Sequence, residues 1–371
     1  MRIGILTLPF NNNYGGYLQA YALMTVLKQM GHEVELIYRK HNKRTLLKRI
    51  TLFVKSLLRF LLHKQYCCII PNQEKELRYK GQNMMEFVDN YISPKTAPIY
   101  SSTELKSYSK NYDAIIVGSD QVWRADYVPN IEDFFLGFTN GTSVKRIAYA
   151  ASFGGNPHYS YDEITKCGDL ITKFNYISLR EESGIEVFNR YKWKTKEKPI
   201  VVLDPTMLLP PQNYEKLFHV KSAKTKYISS YVLDECPETQ KLVAEVTEIL
   251  HIPEKKITDS HAWGKKGYKL PSINYWLESI HNATFIITDS FHGTVFSIIF
   301  NKPFIVYANI ERGIDRFETL LLHFGLENRL MTNVKDIDTI VGMTIDWHYV
   351  NNKIKCERER SLYFLRNSLI E

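Results

Sequence analysis

The sequence predicts an α/β protein of two domains, each built on a parallel sheet. Its 371 residues fit two domains of about 150–200 residues each. Short apolar segments such as 2–8 and 113–117 alternate with helical patterns, which is typical of parallel strands covered on both faces. Two consecutive prolines at 210 and 211 interrupt this alternation. We therefore predict domains over 1–208 and 216–345, joined by a linker over 209–215.

The elements of the first domain follow from apolar runs and their breaks. Residues 17–30 form a helical pattern that Gly31 ends, and a charged helix is expected near 73–91. The predicted strands are 2–8, 33–38, 113–117, 146–151, 176–179 and 200–203.

The second domain repeats the same alternation. Its predicted strands are 226–232, 256–259, 285–288 and 303–307. Its predicted helices are 238–250, 273–282, 294–300 and 316–324. The segment 346–371 is expected to form a terminal helix that packs back on the first domain.

Composition restricts the class of protein. Hydrophobic residues make up 44% of the chain, enough for conventional cores, and the five scattered cysteines lack metal-ligand spacing. No metal is therefore expected. The N-terminus lacks a signal-peptide pattern, and no apolar run reaches the roughly 18 residues of a membrane span. These features predict a cytoplasmic protein.

Much of the net charge of +8 is concentrated in one insertion. Residues 39–64 contain nine Lys or Arg residues, and 44–64 has an amphipathic helical pattern. Such a helix suits an anionic membrane surface, which would place the protein on the inner face of the cytoplasmic membrane. Its apolar face could instead pack on the protein's own core. Nucleic acid is not expected, because no binding motif accompanies the charge.

The segment 285–307 reads as strand, polar turn, helix and strand. Its turn contains Asp289, Ser290, His292 and Gly293. Ligands of open α/β sheets bind where strands end and helices begin, and free N–H groups at a helix start favour anions. Asp289 or Ser290 could instead only cap the helix, and Gly293 could serve only the turn.

Polar residues also follow several other predicted strands. Asn12 and Asn13, Asp120, Ser152 and Arg180 all occupy such positions. Because the carboxyl ends of parallel strands share one edge of a sheet, these residues predict an interdomain cleft lined from both sides.

Six segments together resemble the polysaccharide pyruvyl transferase family in composition and order. They are NNNYGGYLQAYAL, DAIIVGSDQVW, IAYAASFG, SLREESG, VLDPTMLL and TDSFHGTVFSIIFNKPFI. The resemblance covers about 3–307. It implies two Rossmann-like domains facing a central cleft in a GT-B-like arrangement. It also implies transfer of the pyruvyl group of phosphoenolpyruvate to a sugar as a cyclic ketal, of which a 4,6-type ketal on galactose is one form.

The resemblance also suggests partners. Phosphoenolpyruvate is the co-substrate, and no further cofactor is implied. The acceptor is a sugar of a bacterial surface polysaccharide, such as a capsule or exopolysaccharide, or of its polyprenyl-diphosphate-linked precursor. A lipid-linked acceptor would explain a membrane-seeking helix at 44–64.

The family's donor-binding residues transfer by motif. Arg180 in SLRE matches an arginine expected to bind phosphoenolpyruvate, and His292 in SFHG matches a histidine near the donor. Arg312 stands where a further basic residue is expected, although Arg316 could serve instead. The donor turn also contributes Ser290 and Gly293. Without the family match, Arg180 beside two glutamates would read as a surface ion-pair network.

Roles in acid–base chemistry and acceptor binding complete the hypothesis. We expect His292 to act as the general acid and Asp120 or Asp289 as the base, with Asp289 equally able to be a cap. Tyr14 and Trp123 could stack on a sugar ring or belong to the core. The residues expected on the acceptor side are Asn12, Asn13, Tyr14, Gly15, Gly16, Asp120, Gln121, Trp123 and Ser152.

Two other functions fit the same architecture. A nucleotide-sugar glycosyltransferase would use the same pair of domains, because a fold does not determine a reaction. A membrane-peripheral scaffold with a degenerate site would keep the fold and lose the chemistry.

Overall fold

The computed structural model shows two parallel sheets with helices on their faces. It describes residues 1–43, 50–51, 53–54, 78–218, 225–258, 267–308, 313–333 and 336–370. All statements on the structure refer to these residues. The two-domain α/β fold class predicted from the sequence is confirmed.

Within the described residues the first sheet has six strands in the order β2-β1-β3-β4-β5-β6. Every neighbouring pair is parallel. The strands are β1 (Arg2–Leu6), β2 (Glu33–Leu36), β3 (Ala114–Val117), β4 (Lys145–Ala151), β5 (Tyr176–Leu179) and β6 (Ile200–Val201). The helices are α1 (Tyr14–Gln29), α2 (Gln82–Tyr91), α3 (Ser102–Tyr108), α4 (Ile131–Phe134), α5 (Tyr161–Ile171) and α6 (Ser183–Tyr191).

The second sheet, in the described part of the chain, has five parallel strands in the order β11-β10-β9-β7-β8. They are β7 (Ile228–Tyr231), β8 (Glu254–Lys256), β9 (Phe285–Thr288), β10 (Phe304–Tyr307) and β11 (Leu330–Met331). The helices from the linker onward are α7 (Pro211–Glu215), α8 (Pro237–Leu250), α9 (Ile273–His281), α10 (Phe291–Ile299), α11 (Asp315–Phe324), α12 (Ile337–Gly342) and α13 (Trp347–Asn367).

Local sequence explains the central strands and the helix starts. All side chains of β3 and β9 are buried, as continuous apolar strands covered on both faces require. Asn13 caps α1 by accepting a hydrogen bond from the N–H of Gly15, and Ser160 and Glu163 form a capping box at α5.

The strand order places a switch point in each sheet. In the first sheet the chain runs from β1 to one edge at β2 and then crosses to β3 on the other side of β1. In the second sheet β7, β8 and β9 repeat this path. Loops leaving the carboxyl ends of β1 and β3, and of β7 and β9, therefore diverge and leave a crevice.

The two domains share a hydrophobic core beside this crevice. Tyr14 at the start of α1 stacks on Trp276 of α9 with ring centroids 5.4 Å apart, and its hydroxyl donates to the carbonyl of Pro271 at 2.9 Å. The terminal helix α13 returns to the first domain, where the hydroxyl of Ser361 accepts from the N–H of Leu203 at 3.0 Å. The relative position of the domains is thus held by packing at two places.

Several element boundaries differ from the sequence prediction: α1 begins at Tyr14 rather than at residue 17, and β8 is Glu254–Lys256 rather than 256–259. Two further differences bear on the site and on the linker. The helix predicted from residue 294 begins at Phe291, because Ser290 caps it, so His292 and Gly293 lie in its first turn rather than before it. The linker 209–215 contains the short helix α7, since Pro211 at the first helical position favours a helix start.

Most of the basic insertion lies outside the described residues. The exceptions within 44–64 are 50, 51, 53 and 54, where Ile50 is 52% exposed and Phe53 and Val54 are also exposed. Across the described ranges, no helix has the length and hydrophobicity needed to cross a bilayer. The predicted membrane contact of 44–64 stays a prediction.

Candidate active site

A cleft of about 440 Å³ lies where the carboxyl ends of the two sheets face each other. Its walls come from the loops after β1 and β3 in one domain and after β7 and β9 in the other. This volume is within the range of small-molecule sites. The lining residues used below are Asn12, Asn13, Asp120, Gln121, Ser290, His292 and Arg316.

Arg180, directly after β5, is enclosed by carboxylates beside this cleft. One terminal nitrogen donates to Asp120 at 3.2 Å and the other to Asp204 at 3.2 Å, while Nε lies 3.7 Å from Glu181. Burial by itself would lower the pKa of Arg180, but the three carboxylates reverse this and raise it. The guanidinium also lies 4.3 Å from the centre of the Phe291 ring of the second domain. Arg180 is therefore a fixed cation that joins the two domains.

Asp204 lies at the centre of this network, although no site role was expected for it from the sequence. It follows β6 in the segment VLDPTMLL, which carried the resemblance, and its strand-end position was the available signal. Oδ1 accepts from the N–H and hydroxyl of Thr206, and Oδ2 accepts from the hydroxyl of Ser119 at 3.0 Å and from Arg180. Burial opposes its charge, but His292 and Arg180 hold the pKa of Asp204 well below its usual range. Asp204 is a buried, permanent anion.

His292 of the second domain also lies next to Asp204. It is buried in the first turn of α10, and its Nε2 lies 3.6 Å from Oδ2 of Asp204, which is too far for a hydrogen bond. Within the described residues Nε2 has no hydrogen-bond partner. The other side of the ring packs on the backbone of Gly15 in α1. The imidazole of His292, which can carry a proton, is thus held between the two domains, and its Nε2 has no hydrogen-bond partner within the described residues.

Gly15 leaves room for the His292 ring, which gives a testable prediction. A Cβ at position 15 would lie 1.9 Å from Nδ1 of His292. We expect Gly15→Ala to displace the imidazole and to lower kcat by about tenfold or more, since misplacing a reacting group by an ångström is costly. Gly16→Ala is the matched control, because a Cβ there would meet nothing closer than 3.8 Å. Equal activity of the two variants would contradict this role of Gly15.

Arg316, in the first turn of α11, is the arginine that faces the cleft. Its guanidinium lies 5.9 Å from the Phe291 ring, on which Arg180 also lies, and its Nε has no hydrogen-bond partner among the described residues. Burial and then the neighbouring Arg180 lower the pKa of Arg316 to about 10. It is therefore protonated at neutral pH and able to bind an anion. Arg312 lies outside the described residues.

The polar groups in the turn after β9 form hydrogen bonds that stabilise the fold. Both carboxylate oxygens of Asp289 accept backbone N–H groups, from Leu233 at 2.7 Å and Asp234 at 2.8 Å, so this side chain holds the loop after β7. Ser290 caps α10 and accepts the N–H of Gly293 at 3.4 Å. A Cβ on Gly293 would lie 2.3 Å from the hydroxyl of Thr288. Gly293 thus allows close helix–strand packing, and its N–H is already engaged.

The residues expected on the acceptor side divide into two groups. Asn12, Asn13, Asp120 and Gln121 line the cleft, and Asn13 donates to Asp120 at 3.4 Å. Asp120 and Asn12 both have positive φ, at 68° and 57°, which places these loops in the left-handed region.

The others mainly build the walls. The fully buried Trp123 donates its indole N–H to the carbonyl of Phe134 at 3.0 Å, so it does not reach a sugar in the cleft. Ser152 is also fully buried and accepts the N–H of Gly154 at 3.0 Å. Tyr14 lines the cleft, but its ring stacks on Trp276. Gly16 belongs to the first turn of α1.

Metal-ligand geometry does not occur in the part of the chain that the structure describes. No group of three or more His, Cys, Asp or Glu side chains is arranged there to hold a metal ion.

Fold and site together define a class of architecture, the two-domain α/β fold of GT-B type. Among solved structures, the chain is similar to a putative UDP-N-acetylglucosamine 2-epimerase from Listeria monocytogenes, with 10% identity, 96% of this chain and 90% of that chain covered, and a TM-score of 0.51. The spinosyn rhamnosyltransferase SpnG has 11% identity over 98% of this chain and 99% of that chain, with a TM-score of 0.48. At such identities the likeness shows the fold alone.

The family is shown by a sequence profile. The profile of the polysaccharide pyruvyl transferase family matches residues 13–311, about four-fifths of the chain, and the chain belongs to this family. No curated protein gave a significant match. The resemblance inferred from the six motifs is confirmed.

Proposed function

We propose that this protein transfers the pyruvyl group of phosphoenolpyruvate to two hydroxyls of a sugar, forming a cyclic ketal. Family membership supports pyruvyl transfer in polysaccharide synthesis. The observation that carries the donor assignment is that Arg316 and His292, both of the second domain, line the same cleft. A cation with an unpartnered nitrogen and a buried imidazole in one cleft suit a substrate with a phosphate and a carboxylate.

The division of labour between the arginines follows from their contacts. Both terminal nitrogens of Arg180 donate to carboxylates, those of Asp204 and Asp120, and its Nε lies 3.7 Å from Glu181 without a hydrogen bond, so we assign Arg180 to building the site. We assign the guanidinium of Arg316, whose Nε has no hydrogen-bond partner within the described residues, to the substrate. This changes the expectation drawn from the family, in which Arg180 contacts phosphoenolpyruvate directly.

The reaction needs one acid and one base. A proton is added to the methylene carbon of phosphoenolpyruvate, and a sugar oxygen bonds to the adjacent carbon. The carbon–oxygen bond to phosphate then breaks, and the second sugar oxygen closes the ring. Of the two hydroxyl protons, one ends on the new methyl group and the other on phosphate.

His292 and Asp120 are the groups we assign to these proton transfers. His292 lines the cleft and is held by Asp204, so it acts as the acid. Asp120 lines the opposite wall and acts as the base. Asp289 is less suited, because it does not line the cleft and its carboxylate holds the backbone of the loop after β7. Each transfer contributes about 10²–10⁴-fold to the rate.

The test is phosphate release from phosphoenolpyruvate with galactosyl, glucosyl and mannosyl acceptors, free and lipid-linked. We expect a mass gain on the acceptor of about 70 Da, pyruvic acid minus water, and its loss in active-site variants. Phosphoenolpyruvate should also raise the melting temperature. Stabilisation by a sugar nucleotide instead would identify a glycosyltransferase. Stabilisation by neither, with no product, would favour the scaffold.

Arg316 gives a prediction specific to donor binding. Arg316→Lys should raise KM for phosphoenolpyruvate by about 10–100-fold with a smaller change in KM for the acceptor, since lysine keeps the charge but loses paired hydrogen bonds. Steady-state kinetics with each substrate varied would measure this. Arg360→Lys on the exposed face of α13 is the control. An unchanged donor KM in Arg316→Lys would remove Arg316 from the donor site.

A membrane-bound acceptor remains part of the proposal. The exposed Ile50, Phe53 and Val54 support a surface-seeking insertion, and a polyprenyl-diphosphate-linked oligosaccharide would be presented at such a surface. Sedimentation with anionic and neutral vesicles tests this. Equal binding to both, or to neither, would count against an anionic membrane partner.

A further inference from the structure

A second cavity lies beside the cleft and has no part in the site described above. It has a volume of about 530 Å³ and lies between helix α8 and the strands β7 and β8. Strand β8 is the edge of its sheet, so the cavity is an open groove along this edge. We call it the β8 groove. Its lining residues are Ser230, Val232, Glu235, Thr239, Gln240, Val243, Ala244, Thr247, Glu248, Glu254, Lys256 and Thr258.

The β8 groove adjoins the cleft. Val232 and Thr258 line both cavities and form the boundary between them. Each follows the carboxyl end of a strand, β7 for Val232 and β8 for Thr258. A ligand that leaves the cleft across these two residues therefore enters the groove at once.

The charge of the described lining residues disfavours an anionic ligand. Among them are three carboxylates, those of Glu235, Glu248 and Glu254, and one ammonium group, that of Lys256. That ammonium group already lies 3.4 Å from Glu235. A phosphate, a nucleotide or an acidic glycan would meet net negative charge here.

The remaining lining groups suit a neutral polyhydroxylated ligand. Hydroxyl and amide groups of Ser230, Thr247, Thr258 and Gln240 alternate with short aliphatic side chains such as Val243. Hydroxyls, amides and carboxylates can donate to or accept from sugar hydroxyls. Among the described residues that line the groove there is no aromatic side chain on which a nucleobase could stack. The chemistry matches uncharged pyranose rings.

We propose that the β8 groove binds the neutral sugar residues of the oligosaccharide acceptor that are next to the one that is pyruvylated. This rests on the proposed function, because it takes the cleft as the place of the reaction. The sugar that receives the pyruvyl group lies in the cleft, and its neighbours cross Val232 and Thr258 into the groove.

Binding measured without turnover tests this directly. Titration calorimetry with neutral tetrasaccharides of galactose, glucose and mannose should show at least one that binds about tenfold or more tightly than its monosaccharide. A tetrasaccharide of galacturonic acid should not bind, since its carboxylates meet those of the groove. If no neutral tetrasaccharide exceeds its monosaccharide, the proposal is wrong.

A blocking variant locates the binding. Ala244 is exposed on the groove-facing side of α8, so Ala244→Trp fills the groove without overpacking a core. We expect this variant to lose the tetrasaccharide advantage and to keep the melting temperature of the parent protein. Lys241→Trp, exposed on the same helix and outside the groove lining, should keep the advantage. Equal loss in both variants, or in neither, overturns the proposal. Failure of the proposed function would show separately, as absence of a ketal product with every acceptor.

Discussion

Replacing His292 with asparagine is expected to lower kcat for pyruvyl transfer by about 10²–10⁴-fold, the usual contribution of a general acid. Asparagine is polar and smaller than the imidazole, so it fits between Gly15 and Asp204 and cannot carry the proton. KM for phosphoenolpyruvate should change much less, because donor binding falls to Arg316. Steady-state kinetics of phosphate release measures both parameters.

A second histidine supplies the control for this prediction. His281 at the end of α9 is partly buried and lies 3.5 Å from Glu215, but it does not line the cleft. His281→Asn removes an imidazole from the same domain and should leave kcat close to that of the parent protein. If His292→Asn retains most of its kcat, or if both variants lose activity equally, then His292 is not the acid.

Most strands and helices could be predicted from the sequence, because they depend on the pattern of apolar residues within each segment. Continuous apolar runs identified β3 and β9, and alternation with helices predicted the parallel sheets. The start of α10 was placed too late, because the apolar run begins at residue 294 while the cap at Ser290 starts the helix earlier. Capping decides a helix start more than hydrophobicity does.

Strand-end positions also pointed to residues that the structure brings together, but they did not assign the contacts. Asp120, Arg180 and His292 lie around one cleft, and the switch points explain why. Which guanidinium is free depends on carboxylates distant in sequence. Both Arg180 and Arg316 were candidates for donor binding in the sequence. The structure shows that Asp120 and Asp204 neutralise the guanidinium of Arg180 and form no ion pair with that of Arg316.

The site therefore depends on the two domains being held together. Arg180 of the first domain lies on the ring of Phe291 in the second, and His292 of the second lies against Gly15 and Asp204 of the first. A change at either side should affect both the positions of catalytic groups and the stability of the interface. A substitution of Asp204 should affect both the positions of these groups and the stability of the interface, because Asp204 lies against both Arg180 and His292.

Asp204→Asn should lower the free energy of unfolding by about 3–5 kcal/mol at pH 7, the cost of removing one partner from a buried ion pair. The amide still accepts from Thr206, but its NH₂ group faces the donors of Arg180 and Ser119. Activity should fall as well, because Arg180 and His292 lose the anion between them. Urea denaturation followed by circular dichroism measures the stability.

The pH dependence separates this loss of charge from a general disturbance of packing. The pKa of Asp204 is lowered in the folded protein from an ordinary value of 3.8, so its contribution is complete above that pH and is lost as the pH falls further. The stability difference between parent and Asp204→Asn should therefore be constant near neutral pH and shrink only in strong acid. Asp162→Asn, an exposed carboxylate paired with Lys166, removes the same charge and should cost far less. If the difference in unfolding free energy between the parent protein and Asp204→Asn stays constant through strong acid, the substitution disturbs packing alone. The negative charge of Asp204 would then not be what holds the charged groups of the two domains in place.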